Sequence, residues 1–190
     1  AEAAFLIAAA EFPDLDKYGQ VELLDSLAVG ASRRIGDGQD TLFRLNTLAE
    51  YLFDEVGFKC NQQDYYNPDN SYLNQVLSRR VGIPITLSLI CSEVGKRVGI
   101  PLMGIGMPGH FLLRHRDETD LFLDPFHRGI LLSIEECANR LSEVAGGTMA
   151  WDPNFLTPVG NRDFVARILR NLKGIYHNTA DYGRMFRTMD

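Results

Sequence analysis

Two residues of this chain are spaced for acid–base chemistry: His110, in Pro108-Gly-His-Phe111, and Asp124, in Leu123-Asp-Pro125. An imidazole is the side chain best suited to moving protons near neutral pH. A carboxylate at the end of the following strand can hold such a ring in one orientation through one of its nitrogens. Ahead of both runs Val81-Gly-Ile-Pro-Ile-Thr-Leu-Ser88, which reads as a helix start with Pro84 at the first position, where a missing N–H costs nothing. A helix N-terminus lowers a thiol's pKa and can bind an oxyanion, so this order suits acyl transfer. That chemistry also needs a nucleophile, and Pro84 supplies none.

Several side chains are candidates to replace it. Thr86 and Ser88 follow in the first turns of the same helix, with Thr86 nearer the free N–H groups. The competing reading of Thr86 is a hydroxyl bonded to nearby backbone. Cys91 lies about two turns further in, roughly 10 Å along the axis at 1.5 Å per residue, on an apolar stripe that marks it as a core residue. Cys60 precedes the Asp64-Tyr-Tyr-Asn-Pro-Asp-Asn70 loop; it could approach a cleft from outside or be a loop thiol. Cys137 falls in a capped helix and is expected to pack inward. His110, His115, His127 and Asp124 could offer metal ligands, yet their spacings match no zinc motif, and strand alternation puts His110 and His115 on opposite faces. On that spacing no metal is expected, and no cofactor is expected either, since Gly104-Ile-Gly106 lacks the third glycine and the helix start of a dinucleotide fingerprint.

The elements that must position these residues can be read in order. Helices are expected over 2–12, stopped by Pro13, and over 16–34, capped by Asp14 or Asp16. A third runs from an Asp40 cap to Gly57, carrying Leu42, Leu45, Leu48, Leu52 and Phe53 on one face. Asn70 or Ser71 caps a short helix that Gly82 closes, and Pro84 restarts a helix that ends at Gly99-Ile-Pro101. The segments 102–107, 110–116, 121–124 and 129–132 suit an antiparallel meander. Ser133-Ile-Glu-Glu136 is a capping box, Trp151 is a buried anchor in a loop, and Asn161 caps a long helix. A last helical pattern runs from Asp181 to Asp190.

Bulk properties bound the function. With 190 residues, 45% hydrophobic and 23% charged, the chain suits one globular core. A net charge of -6 argues against a nucleic-acid partner, which would need a basic face. The apolar Ala3–Ala10 run is too short to span a bilayer and lacks a cationic leader, so no membrane association is expected. Three cysteines without a CxxC pair indicate neither a disulfide framework nor a zinc cage, and point to the cytoplasm.

Gly99-Ile-Pro101 before a strand, then His110, then Asp124, resembles the transglutaminase-like superfamily, whose layout is a Cys-bearing helix, a Gly-Ile-Pro turn, a His strand and an Asp strand. Fifteen positions before Gly99, a common separation in that layout, stands Pro84. Asp64-Tyr-Tyr-Asn-Pro-Asp-Asn-Ser-Tyr-Leu-Asn74, Arg79-Arg-Val-Gly-Ile-Pro-Ile-Thr-Leu-Ser88 and Pro108-Gly-His-Phe111 more closely resemble the bacterial SirB-type subfamily, in which tetratricopeptide-like helices follow the core. A related domain occurs in an F-box protein.

The resemblance covers about residues 40–180 and implies an α+β fold. A transglutaminase-like, papain-like core over 61–155 would pack a central helix against an antiparallel sheet. A helical segment over 1–60 would pack on it, and a helical extension over 156–190 would begin a truncated tetratricopeptide-like region. His110 and Asp124 carry over as base and orienter, while no nucleophile carries over to Pro84. The function expected is a non-catalytic regulatory module that binds a protein or peptide, with Pro84, Tyr65, Tyr66 and Asn67 around the cleft. The alternative is an amide or ester hydrolase or acyltransferase using His110, Asp124 and an atypical nucleophile, Thr86 foremost.

Overall fold

The computed structural model describes residues 1–38 and 40–188, so the end of the helical pattern expected at Asp190 lies outside the described residues. Helix α1 spans Glu2–Glu11 and α2 spans Lys17–Ile35, the latter capped by Asp16 Oδ1, which accepts from the Gly19 N–H at 3.1 Å. Helix α3 (Thr41–Ala49) starts at Asp40, whose carboxylate accepts from the Phe43 N–H at 2.7 Å. The single helix expected from Asp40 to Gly57 instead widens into a π-helical turn over Glu50–Glu55, where Tyr51, Leu52 and Phe53 are all buried.

A short strand β1 (Lys59–Cys60) comes next, then a 3-10 turn (Pro68–Asn70), α4 (Leu73–Arg79) and strand β2 (Val81–Gly82). β1 and β2 pair in parallel and clamp the base of the Asp64–Asn70 loop. The cap expected for α4 at Asn70 or Ser71 is corrected: Tyr72 is the N-cap, with no side-chain cap bond. The Asn70 amide is spent on the loop. Its Nδ2 donates to the Asp64 and Tyr65 carbonyls at 2.8 and 3.2 Å, and its Oδ1 accepts from Asn61 at 3.1 Å.

Helix α5 (Pro84–Arg97) is the central element, with its Pro at N1. The chain turns at Gly99 and builds β3 (Leu102–Ile105), β4 (Leu112–His115), β5 (Phe122–Asp124), a 3-10 turn (Pro125–His127) and β6 (Ile130–Leu132). Helix α6 (Ile134–Val144) opens on the expected capping box, Ser133 and Glu136 each accepting from the other's N–H. After β7 (Pro158–Val159) come α7 (Asn161–Asn178) and α8 (Tyr182–Arg187). The sheet order is β6-β5-β4-β3-β7, every pair antiparallel. The fold is therefore α+β, a central helix against an antiparallel sheet.

Strand alternation splits the apolar residues between the two faces. Leu113 and Leu123, paired across β4 and β5, face α5 and the main core, which draws residues from Ala4 to Tyr176. Leu112 and Phe122 face the other way, into a smaller cluster with Ile105, Met107, Cys137 and Leu141 under α6. Trp151 is half-buried against this second cluster rather than fully enclosed. Gly104 lies opposite Leu113 and Val159, where the Phe111 and Phe164 rings meet at a 4.6 Å centroid distance.

A Cβ at Gly104 would overlap the Phe164 ring and lie 2.8 Å from Phe111 Cζ. Gly104→Ala is expected to cost about 1–3 kcal/mol through overpacking, read as a lower urea midpoint with an unchanged m-value.

Candidate functional site

His110 is fixed by a four-residue turn before β4. Its N–H donates to the Met107 carbonyl at 3.1 Å, with Pro108 at the second position and Gly109 at φ +69° in the third, a type II pattern. Glycine is required there twice over, because a Cβ would also meet Val144 Cγ1. The turn points correct the sequence reading, which began the strand at His110; β4 begins at Leu112.

Asp124 ends β5 and caps the 3-10 turn that follows. Its Oδ1 accepts from the Phe126 and His127 backbone N–H groups at 3.2 and 3.3 Å and from His110 Nε2 at 2.9 Å. Its Oδ2 accepts from His127 Nδ1 at 2.7 Å and faces Arg140 Nε at 3.5 Å. A carboxylate is acceptor-only when ionised, so both imidazoles present an N–H to it. The residue is completely buried and His110 is 2% exposed. Burial opposes ionisation of Asp124, but the His110 and His127 hydrogen bonds outweigh it and hold the carboxyl well below its usual range.

The nucleophile candidates do not complete this pair. Among the described residues, no thiol or hydroxyl is hydrogen-bonded to His110. The Thr86 hydroxyl is fully buried; it accepts from the Ile83 N–H at 3.1 Å and donates to the Asn70 carbonyl at 2.8 Å, so it caps α5 and ties down the loop. Ser88 donates to the Phe111 carbonyl at 3.3 Å. Cys91 and Cys137 are buried, and burial pushes both thiols up to about 12, with Asp124's charge adding at Cys137. Cys60 lies in β1 rather than in a loop, half-buried, and burial followed by Asp124's charge raises its thiol too. An activated cysteine needs the opposite shift.

Of the remaining expected residues, Tyr65 is linked to the pair through Phe126. Pro84 is buried at the head of α5. Tyr65 meets Phe126 edge-to-face at 6.2 Å, and Phe126 meets His110 at 5.9 Å, so an aromatic relay joins the loop to the imidazole. Tyr66 is 70% exposed. Asn67 shapes the loop: Oδ1 accepts from the Asp69 N–H and Nδ2 donates to Asp64 Oδ2, both at 2.9 Å. Four surface cavities of about 140 to 670 Å³ are lined by other residues than Pro84, His110 and Asp124.

Ligand atoms of His110, Asp124 and His127 lie within 4.8 Å of one another, a two-His, one-carboxylate set. The carboxylate oxygens, however, already receive four hydrogen bonds, and Arg140 sets a positive charge against one of them. His115 stands apart at the end of β4, where its Nδ1 accepts from the Asp117 N–H at 3.2 Å. His127, weighed from sequence only as a ligand, had a readable signal as a partner in Asp124-Pro-Phe-His127. Arg140, arriving from α6, had none.

The model of the transglutaminase-like superfamily matches residues 20–170 of the chain. A UPF0162 protein of Xylella fastidiosa (strain 9a5c) is 39% identical over 191 residues, covering 98% of this chain and 68% of that protein. A UPF0162 protein of Pseudomonas aeruginosa is 32% identical over 179 residues, 92% of this chain and 64% of its own length. F-box only protein 21 of Mus musculus is 38% identical over 102 residues, 49% of this chain and 16% of that protein. No solved structure matches the chain.

Because folding depresses the Asp124 pKa below its unfolded value near 3.9, its stabilisation is complete above about pH 5 and is lost as pH falls toward the folded value. Unfolding free energy measured by urea between pH 6 and pH 2 is expected to fall for the native sequence and to fall less steeply for Asp124→Asn, where the other depressed carboxylates such as Glu93 still contribute. At pH 7 that substitution is expected to cost about 3–5 kcal/mol, since it breaks a buried pair from one side.

Proposed function

The chain belongs to the transglutaminase-like superfamily, and from that premise we propose that it is a non-catalytic member, a regulatory module that binds a protein or peptide. The observation that carries this reading is the closed state of the His110–Asp124 pair: both side chains are buried, Asp124 is saturated with donors, and Pro84 heads the helix that should bring a nucleophile. Hydrolysis or acyl transfer needs a group in hydrogen-bonding reach of the base and room for a substrate beside it. Thr86, the foremost substitute, is consumed as a cap.

The reading extends to finer assignments. The Asp64–Asn74 and Arg79–Ser88 motifs favour the SirB-type subfamily. The packed α7–α8 pair would then open a tetratricopeptide-like region over 156–190, following an N-terminal segment over 1–60 and a core over 61–155. Stacked helix pairs offer extended docking surfaces. The 102-residue match that makes up 16% of F-box only protein 21 supports a module that works inside larger proteins. Tyr65, Tyr66 and the Asn67 turn would form the docking edge, with the buried His–Asp pair as its support. The cytoplasm is the proposed location.

Release of ammonia from glutamine-containing peptides and hydrolysis of small esters test the non-catalytic assignment. The expected rate equals the uncatalysed one, with no change in His110→Gln; a rate at least tenfold higher that His110→Gln abolishes would overturn it. On the binding side, peptides selected against the whole chain are expected to bind about tenfold more weakly to Tyr66→Ala, roughly 1.4 kcal/mol. The melting temperature should be unchanged, because Tyr66 is 70% exposed.

A further inference from the structure

Helix α7 turns one stripe toward the Tyr65–Tyr66 loop. Arg167, Arg170, Asn171, Gly174 and Asn178 recur along it at three- and four-residue spacing. Arg170, Gly174, Tyr65, Tyr66 and Ile83 are among the residues lining a cavity of about 140 Å³. Ile83 immediately precedes Pro84, so this cavity abuts the helix start that the nucleophile has vacated. Its volume is below the roughly 300–1,000 Å³ of small-molecule sites, and it fits one side chain of a larger ligand.

Two independent features need explaining. Arg167 is half-buried, yet among the described residues no carboxylate pairs with it or with Arg170. Carboxylates are not scarce: acidic residues outnumber Lys and Arg by 25 to 19, and Arg34, Arg97, Arg128, Arg140 and Arg184 all have acidic partners. Burial and then Arg170's like charge push the Arg167 pKa down, offset in part by Tyr65. A charge held this way favours a ligand that brings the missing anion.

The second feature is Gly174, in the interior of an 18-residue helix. Its φ is not left-handed, and a Cβ there would meet nothing within 4 Å. Neither backbone nor packing asks for glycine, and glycine destabilises a helix interior relative to alanine. What its missing Cβ provides is depth in the floor of the cavity.

We propose that this groove receives the carboxylate side chain of an acidic peptide. Arg170, in the cavity lining, holds the carboxylate, Arg167 adds its charge from three residues back on the same helix, the tyrosine rings flank the aliphatic stem, and Gly174 admits the ligand against the helix. Guanidinium groups suit planar two-oxygen anions, and Arg with Tyr dominates the energetics of peptide interfaces. This ligand class rests on the peptide-binding reading above and sharpens it.

Fluorescence polarisation of labelled hexaglutamate, with hexaglutamine as the neutral control, tests the assignment on the 190-residue chain. Hexaglutamate should bind and hexaglutamine should not. Arg170→Gln should weaken binding at least tenfold and Arg167→Gln less, while Arg162→Gln, an equal charge change at an exposed position on the same helix, should leave it unaltered. Gly174→Ala should raise the melting temperature and weaken binding together, a combination that a structural glycine would not give. Unaltered affinity in Arg170→Gln and Gly174→Ala would overturn the groove. Equal binding of hexaglutamine would overturn the acid specificity while leaving the peptide-binding reading standing, and binding of neither peptide would overturn both. Complete displacement by millimolar inorganic phosphate would make the cavity a free-anion site and remove the peptide from it.

Discussion

The Asp124 carboxylate is the constraint on which the middle of this molecule depends. Completely buried, it must be ionised to accept what surrounds it, and a buried charge survives only when its lone pairs are met. They are met from two places, the His110 turn before β4 and the 3-10 turn after β5 with its two backbone N–H groups and the His127 ring, while Arg140 on α6 sets a positive charge 3.5 Å away. One residue thus fixes the turn, the strand end and the helix on the outer face of the sheet. Through His110 and Phe126 the same order passes to Tyr65 and the polar loop.

That saturation leaves the His110–Asp124 arrangement in place with its carboxylate fully engaged by the protein's own groups. An active base needs its second nitrogen directed at a reacting group in an accessible space. Here the groups nearest the helix start have been turned to structure instead. Pro84 satisfies the helix terminus, Thr86 caps it, and Asn70 closes the loop against it. The three thiols are raised rather than activated. Polar side chains that a cysteine enzyme would spend on charge development in a transition state are spent on holding a fixed shape.

The surface beside that fixed shape is where adaptability remains. The exposed Tyr66 and the helical Gly174 line one cavity where α7 meets the loop, and Arg167, without a carboxylate partner among the described residues, lies seven residues before Gly174 on the same helix. Each is locally unfavourable in isolation: an aromatic ring in water, a half-buried charge without a partner, a glycine inside a helix. Local rules are most often broken where a molecule works, and the proposed groove rests on these breaks.

Much of this organisation was legible in the residues. Apolar periodicity placed every long helix within a few residues, because burial of one face dictates spacing whatever the partner. Ser133 with Glu136 and Asp40 before its helix announced their own termini, since capping is a contact between neighbours in sequence. The Pro-Gly-His and Leu-Asp-Pro motifs marked the two residues that meet, as each motif fixes its own backbone. Other features required distant partners. The two-residue pairing of β1 with β2, the π-helical widening at Glu50–Glu55, and the use of Asn70 as a loop tie rather than a cap all depend on what packs nearby. Arg140 reaches Asp124 from α6, sixteen residues on, with no motif to announce it. Residue types and their order were enough to show which groups could do chemistry and that a proline heads the central helix. That the His–Asp pair is buried and its carboxylate engaged could not be read there, because burial and lone-pair satisfaction are sums over neighbours brought together by the fold.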